Sequence, residues 1–230
     1  MLKNDYKILS VGGSIIIPKT GFDIKFLKSF RKLILERVQA GDKFIFVVGG
    51  GATCRNYQNA AQNVSGVKGV ELDWLGIQAT YLNAEFVKRL FGDLVYAEVV
   101  KDPSKKIKTA KPIIVAGGWK PGWSTDYDAV KLAEIYKSNL VVNMSNIDYV
   151  CDSDPQKNKN AQKFEKLNWV EMKKIVGDKW IPGKNIPFDP SATKLAEKLN
   201  LKVVFVKGTN LKQVKNVILG KKVAGTIIQN

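Results

Sequence analysis

The 230-residue chain carries 37 Lys and Arg against 21 Asp and Glu, a formal net charge of +16, and contains no histidine. Chemistry that needs an imidazole as base, nucleophile partner or metal ligand is thereby excluded, whereas phosphoryl transfer runs on positioning and electrostatics without one. Two cysteines, Cys54 and Cys151, lie far apart without C-x-x-C spacing, which argues against a disulfide framework or a zinc site.

The lysines are spread along the chain, with no basic run interleaved with aromatics of the kind a single-strand binder uses. They read as a solvated surface, and nucleic acid is not an expected partner. No apolar run approaches the ~20 residues needed to span a bilayer, and the first residues lead directly into a strand, so a cytoplasmic protein is expected.

Tyr6 to Val11 reads as a buried strand ending in Gly12-Gly13-Ser14. Asp23 is a plausible N-cap for a helix with Phe26, Leu27, Phe30, Leu33, Ile34 and Val38 on one face, closed by Gly41. Phe44 to Val48 is a second apolar run, and it ends in Gly49-Gly50-Gly51 just before a segment with helical spacing. Three residues without side chains let backbone N–H groups approach an anion closely, and the helix that follows points its positive end at the same place. Arg55 lies one turn in, where its planar fork could close over a phosphate oxygen. A tight turn that needs glycine for packing alone is the competing reading.

A polar helix through Gln62 and a long helix from about Glu71 to Phe91 follow, then an expected strand from Leu94 to Val100 and a basic loop from Pro103 to Lys111. The strand Pro112 to Ala116 runs into Gly117-Gly118-Trp119-Lys120-Pro121-Gly122-Trp123-Ser124-Thr125-Asp126. Ser124, Thr125 and Asp126 are candidate caps for a helix Asp128 to Lys137. Leu140 to Met144 is a strand, Gln156 to Lys163 an exposed loop, and Asn168 with Glu171 a capping box for a helix ending near Gly177. Trp180 to Pro190 reads as a shaped loop. Helix Ser191 to Leu199, strand Lys202 to Val206, helix Leu211 to Ile218 and strand Ala224 to Ile228 complete the chain.

Strands that are apolar throughout, alternating with helices, predict an α/β fold with a mostly parallel sheet covered on both faces. Ligands in such folds sit beyond the carboxyl ends of the strands, where the glycine turns fall. Neither G-x-x-x-x-G-K-[ST] nor G-x-G-x-x-G after a strand is present, so a P-loop enzyme or a standard dinucleotide fold is not supported.

Several blocks fall in a familiar order: Val11-Gly12-Gly13-Ser14; Gly49-Gly50-Gly51 with Arg55; Leu72-Asp73-Trp74-Leu75-Gly76-Ile77-Gln78-Ala79 with Asn83-Ala84. Then come Gly117-Gly118-x-x-Pro121-Gly122-x-Ser124-Thr125-Asp126, Asn146-x-Asp148 with Asp154-Pro155, and Asp189-Pro190. The chain resembles the amino acid kinase superfamily over nearly its whole length, and in detail the archaeal-type uridylate (UMP) kinases. The D-x-x-G-I-Q-A and P-G-x-S-T-D blocks carry most of that specificity.

The resemblance implies a three-layer αβα sandwich in one domain, residues 1–230. The part from about 1–139 would bind UMP, and the part from about 140–230 would bind ATP with Mg²⁺. By motif, Gly50, Asp73 and the loop Trp119, Lys120, Pro121, Gly122, Trp123, Ser124 and Thr125 would hold UMP. Gly13, Ser14, Gly51, Arg55, Ser145, Asn146, Cys151 and Asp154 would hold ATP, with Arg55, Asp126 and Asp189 in the catalytic set and no metal ligand assigned to the protein. The resemblance further implies a hexamer built from dimers, and a place in pyrimidine nucleotide (CTP) biosynthesis.

Two departures from the family pattern stand out. Many members carry a lysine where this chain has Ser10, and Lys7 lies on the opposite face of the strand. Tyr149 replaces a usual glycine, and Cys151 stands where a tyrosine commonly lines the adenine pocket. Lys120 and Lys184 are the candidate replacement cations. Another kinase of the superfamily, or a weakly catalytic nucleotide-binding protein of the same fold, is the alternative.

Overall fold

Alternation along the strands builds two separate cores. On β2 (Lys43–Val48), Phe44, Phe46 and Val48 point to one face of the sheet, and Ile45 and Val47 point to the other. Successive strand residues face opposite sides, so a strand apolar on both has to be covered on both. The computed structural model describes residues 6–155, 158–178 and 186–230.

The seven-stranded sheet has the order β3-β2-β1-β4-β8-β9-β7. Its members are β1 (Tyr6–Val11), β2, β3 (Ile113–Ala116), β4 (Leu140–Ser145), β7 (Lys166–Leu167), β8 (Lys202–Lys207) and β9 (Thr226–Ile228). Every pairing is parallel except β8 with β9. A separate ribbon pairs β5 (Val150–Cys151) with β6 (Lys163–Phe164). One face is covered by α2 (Ile24–Gln39), α4 (Val70–Phe91) and α8 (Leu211–Ile218). The other carries α5 (Thr125–Tyr136), α6 (Trp169–Val176) and α7 (Pro190–Lys198). Two further helices, α1 (Gly13–Ile16) and α3 (Gly51–Ser65), start directly from the ends of β1 and β2. The expected three-layer αβα sandwich is thus the observed one.

Local signals set most boundaries. The Asp23 carboxylate caps α2 by accepting the Phe26 N–H at 2.9 Å. The Asn168–Glu171 capping box starts α6, and Gly177 ends it. Two boundaries differ from expectation. α5 begins at Thr125, with Ser124 as its cap, so Thr125 and Asp126 lie inside the first turn. The expected strand from Leu94 to Val100 is replaced by a 3₁₀ turn, Gly92–Leu94, and two isolated bridges, Val95 to Ile113 and Val100 to Ala116. Exposed Ala97 and Glu98 bow out between the bridges, while Val95, Val99 and Val100 are buried in the core and Leu94 and Tyr96 pack partly against it. Most of the expected loop from Trp180 to Pro190, including Lys184, lies outside the described residues.

Candidate functional site

Parallel β1, β2, β3 and β4 all end at one edge of the sheet, and their outgoing turns are tied side by side. The Gly12 N–H donates to Met144 O, the Gly49 N–H to Val11 O, each at 3.0 Å, and the Gly208 N–H to Ser145 O at 2.8 Å. The first two glycine turns meet face to face. A Cβ on Gly13 would lie 2.1 Å from the Gly51 nitrogen, and one on Gly51 would lie 2.4 Å from the Gly13 carbonyl carbon. Gly51 also has φ +59°, a conformation that disfavours any side chain. Packing therefore explains why glycine stands at both positions, and the half-buried start of α3 presents the positive end of the helix at this junction. Ser14 is half-buried beside this junction, and Arg55 is exposed one turn into α3.

The third turn, after β3, is fastened by side chains from two helices. The Gly118 N–H donates to the Thr80 hydroxyl oxygen (2.7 Å), the Trp119 N–H to the Asp128 carboxylate (3.1 Å) and the Gly122 N–H to the Asp73 carboxylate (3.0 Å). Asp73 is thus a tie within the first turn of α4 rather than its cap, which is Gly69. Thr80 and Asp128 have no role in the sequence reading. A polar residue inside an otherwise buried helical face was the available signal for both. On the loop itself, the Lys120 ammonium lies 4.1 Å from the Trp119 ring centre, and Trp123 lies over Tyr127 at 3.9 Å. Pro121 and Ser124 complete the loop, and half-buried Thr125 opens α5.

Behind that loop sits an acidic cluster. The Asp126 carboxylate accepts from Asn143 Nδ2 at 3.0 Å and from Ser10 Oγ at 3.3 Å, crossing from α5 to β4 and β1. Burial and the Asp189 charge push its pKa up to about 7. Burial pushes Asp128 up to about 8, despite the donated Trp119 N–H. Asp189 caps α7, one oxygen accepting the Ser191 and Ala192 N–H groups, while its other oxygen is buried without a partner among the described residues. Lys7 does not reach this cluster; it pairs with Asp42 at 2.6 Å.

The residues expected at the second nucleotide follow β4. The Ser145 hydroxyl accepts the Ile147 N–H at 3.2 Å and turns the chain, leaving Asn146 exposed. Cys151 lies half-buried in β5, and the Asp154 carbonyl accepts the Asn158 N–H. Among the described residues no three His, Cys, Asp or Glu side chains are grouped so as to hold a metal ion. This edge of the sheet presents hydroxyl and amide groups beside the start of α3, groups that suit phosphate oxygens.

The sequence model of the amino acid kinase family matches residues 5–207. The chain belongs to the amino acid kinase family. Among its relatives within this family, the uridylate kinase of Methanocaldococcus jannaschii is 32% identical over 225 residues, covering 96% of this chain and 98% of that one. The uridylate kinase of Methanocorpusculum labreanum is 31% identical, covering 97% and 95%. The crystal structure of the Archaeoglobus fulgidus uridylate kinase superposes with a TM-score of 0.82 at 29% identity, covering 97% of this chain and 99% of that one. The UMP kinase of Bacillus anthracis, at 22% identity and TM-score 0.76, shares the amino acid kinase fold.

Proposed function

We propose that the protein is a cytoplasmic UMP kinase that transfers the γ-phosphoryl group of ATP to UMP, giving UDP and ADP on the route to CTP. The observation that carries this reading is the meeting of the β1 and β2 glycine turns beside the tethered 117–125 loop. In this reading the start of α3 takes one anion, and the loop, whose Gly118, Trp119 and Gly122 N–H groups are held by Thr80, Asp128 and Asp73, walls the neighbouring space with its side chains.

In this reading the part up to about residue 139 takes UMP. Asp73 keeps one carboxylate oxygen on Gly122 and has the other to accept ribose hydroxyls. Gly50 and the loop 119–125 surround the acceptor, and Thr125 donates to its phosphate at the start of α5. The part from about residue 140 takes ATP, with Gly13, Ser14, Gly51 and Arg55 on the phosphates and Ser145, Asn146, Cys151 and Asp154 toward the nucleoside. Magnesium bound to the ATP phosphates supplies charge neutralisation. Backbone donors at the start of α3, with Arg55 and Thr125, would position the phosphates, and positioning is the main catalytic resource in phosphoryl transfer. Asp126 and Asp189, on the rear wall, fix the start of α5 and of α7 around the reacting groups. Self-association into a hexamer built from dimers belongs to the same reading.

A steady-state assay with UMP and Mg-ATP, run against CMP and AMP, tests the proposal. UDP formation preferring UMP is expected, and its absence under all conditions would reject the assignment. Ser10, a neutral residue beside Asp126, supports a second reading, a binding protein of the same fold with weak turnover. Calorimetry showing tight UMP or ATP binding without UDP formation would favour that one.

A further inference from the structure

Asn83, on α4, is fully buried and faces the triglycine turn from behind. Its Nδ2 donates to two successive carbonyls, Gly49 O at 2.9 Å and Gly50 O at 3.0 Å. Its Oδ1 is buried without a partner among the described residues. Exchanging the two amide atoms would set the oxygen against both carbonyls, so the orientation is dictated by the turn. A buried oxygen left unpaired costs about 1–3 kcal/mol, which an apolar residue of similar size would not incur.

The consequence follows from peptide geometry. In a trans peptide the C=O and the following N–H point in opposite directions. Drawing the Gly49 and Gly50 carbonyls back toward α4 therefore turns the N–H groups of Gly50 and Gly51 outward, away from Asn83. Gly13 packs against the same turn, a Cβ there falling 2.1 Å from the Gly51 nitrogen and 2.5 Å from Gly49 O.

We infer that Asn83 is a positioning residue for the anion cradle: its amide holds the Gly49 carbonyl back and shares the Gly50 carbonyl with the Cys54 N–H of α3, so that the Gly50 and Gly51 N–H groups face a bound phosphate. The inference rests on the phosphate reading of this crevice. It does not depend on which nucleotide is the substrate. Asn83 touches no reacting atom in this scheme; it acts through the backbone it orients.

The test uses inorganic tripolyphosphate as the anion, titrated calorimetrically into the full chain, alongside UDP formation. Asn83→Leu removes the donors at similar volume, and Asn83→Asp keeps the shape while setting a carboxylate against two carbonyls. Both are expected to weaken tripolyphosphate binding by roughly ten- to a hundredfold at pH 8, the range for a lost hydrogen bond to a charged group. Relative to wild type at each pH, Asn83→Asp is expected to recover as the pH falls to 5.5, because a protonated carboxyl regains one donor. Asn83→Leu is expected not to recover. A merely structural role would give the two variants parallel pH profiles, and that result, or folded variants with wild-type affinity, would overturn the inference. Should neither variant fold, the Gly50 and Gly51 amide resonances of the wild type decide: tripolyphosphate must shift them, and unmoved resonances refute the role. A wild type that binds tripolyphosphate but makes no UDP refutes the substrate assignment alone; one that binds neither refutes both.

Discussion

The Ser10 hydroxyl donates to the Asp126 carboxylate across 3.3 Å, joining the C-terminal end of strand β1 to the first turn of α5. With Asn143 it supplies the side-chain donors that counter the burial of Asp126, whose pKa is nonetheless pushed up to about 7. Among the described residues no lysine ammonium pairs with this carboxylate.

That contact is expected to bear on the pH response of the site, as a donor that partly offsets burial and the Asp189 charge. Ser10→Ala removes a donor that favours the ionised form, so the Asp126 pKa rises and the acid limb of kcat/KM moves to higher pH, by roughly one pH unit or less for a hydrogen bond of about 1 kcal/mol. Ser10→Lys sets a cation beside the carboxylate and moves the limb the other way. Rate profiles of UDP formation between pH 5.5 and 9 check both. Identical limbs in all three proteins would remove Asp126 from the rate law.

Asp128 bears on stability. Its folded pKa of about 8 lies above the ordinary 3.8, so the folded state holds a proton that the unfolded chain has already released. Stability from this group is therefore fully present below about pH 4 and is lost as the pH climbs to about 8. Asp128→Asn keeps an acceptor for the Trp119 N–H and cannot ionise. Urea unfolding is expected to find the variant more stable than wild type at pH 8 and nearly equal at pH 4. A parallel pH dependence would contradict the assignment.

The glycine junction predicts a contrast between two substitutions. At Gly51 an added Cβ meets the Gly13 backbone at 2.4 Å, whereas at Gly66 (φ +68°) it meets open space. Gly51→Ala is expected to abolish turnover and destabilise the fold by several kcal/mol, since backbone atoms have to move. Gly66→Ala bears only the left-handed strain, about 1 kcal/mol, with kcat and KM unchanged. Thermal melts and kinetics on the pair measure this.

Asp73 ties α4 to Gly122 from a half-buried position. Asp73→Ala is expected to raise the KM for UMP about tenfold or more, the value of one charge-assisted hydrogen bond, with Tm shifted by only a few degrees and the KM for ATP preserved. A rise in both KM values would point to general loosening instead.

Much of the architecture was legible in the order of residues alone. Two-sided apolar strands such as Phe44 to Val48 call for a parallel sheet between helical layers, because a strand without a polar face has no side to give to water. Asp23, the Asn168–Glu171 pair and Gly177 mark helix ends because their hydrogen bonds are local, made within a few residues. The glycine turns at the ends of β1, β2 and β3 were legible for the same local reason. What only the tertiary structure decided are contacts between distant segments: Gly13 against Gly51, Thr80 and Asp128 on the 118–119 peptides, Ser10 with Asn143 on Asp126. The failed strand after Leu94 belongs with them, since which of its valines enter the core depends on the neighbouring strand β3. Periodicity reports which face of an element is apolar; it carries no information about which partner that face, or a polar atom upon it, will meet.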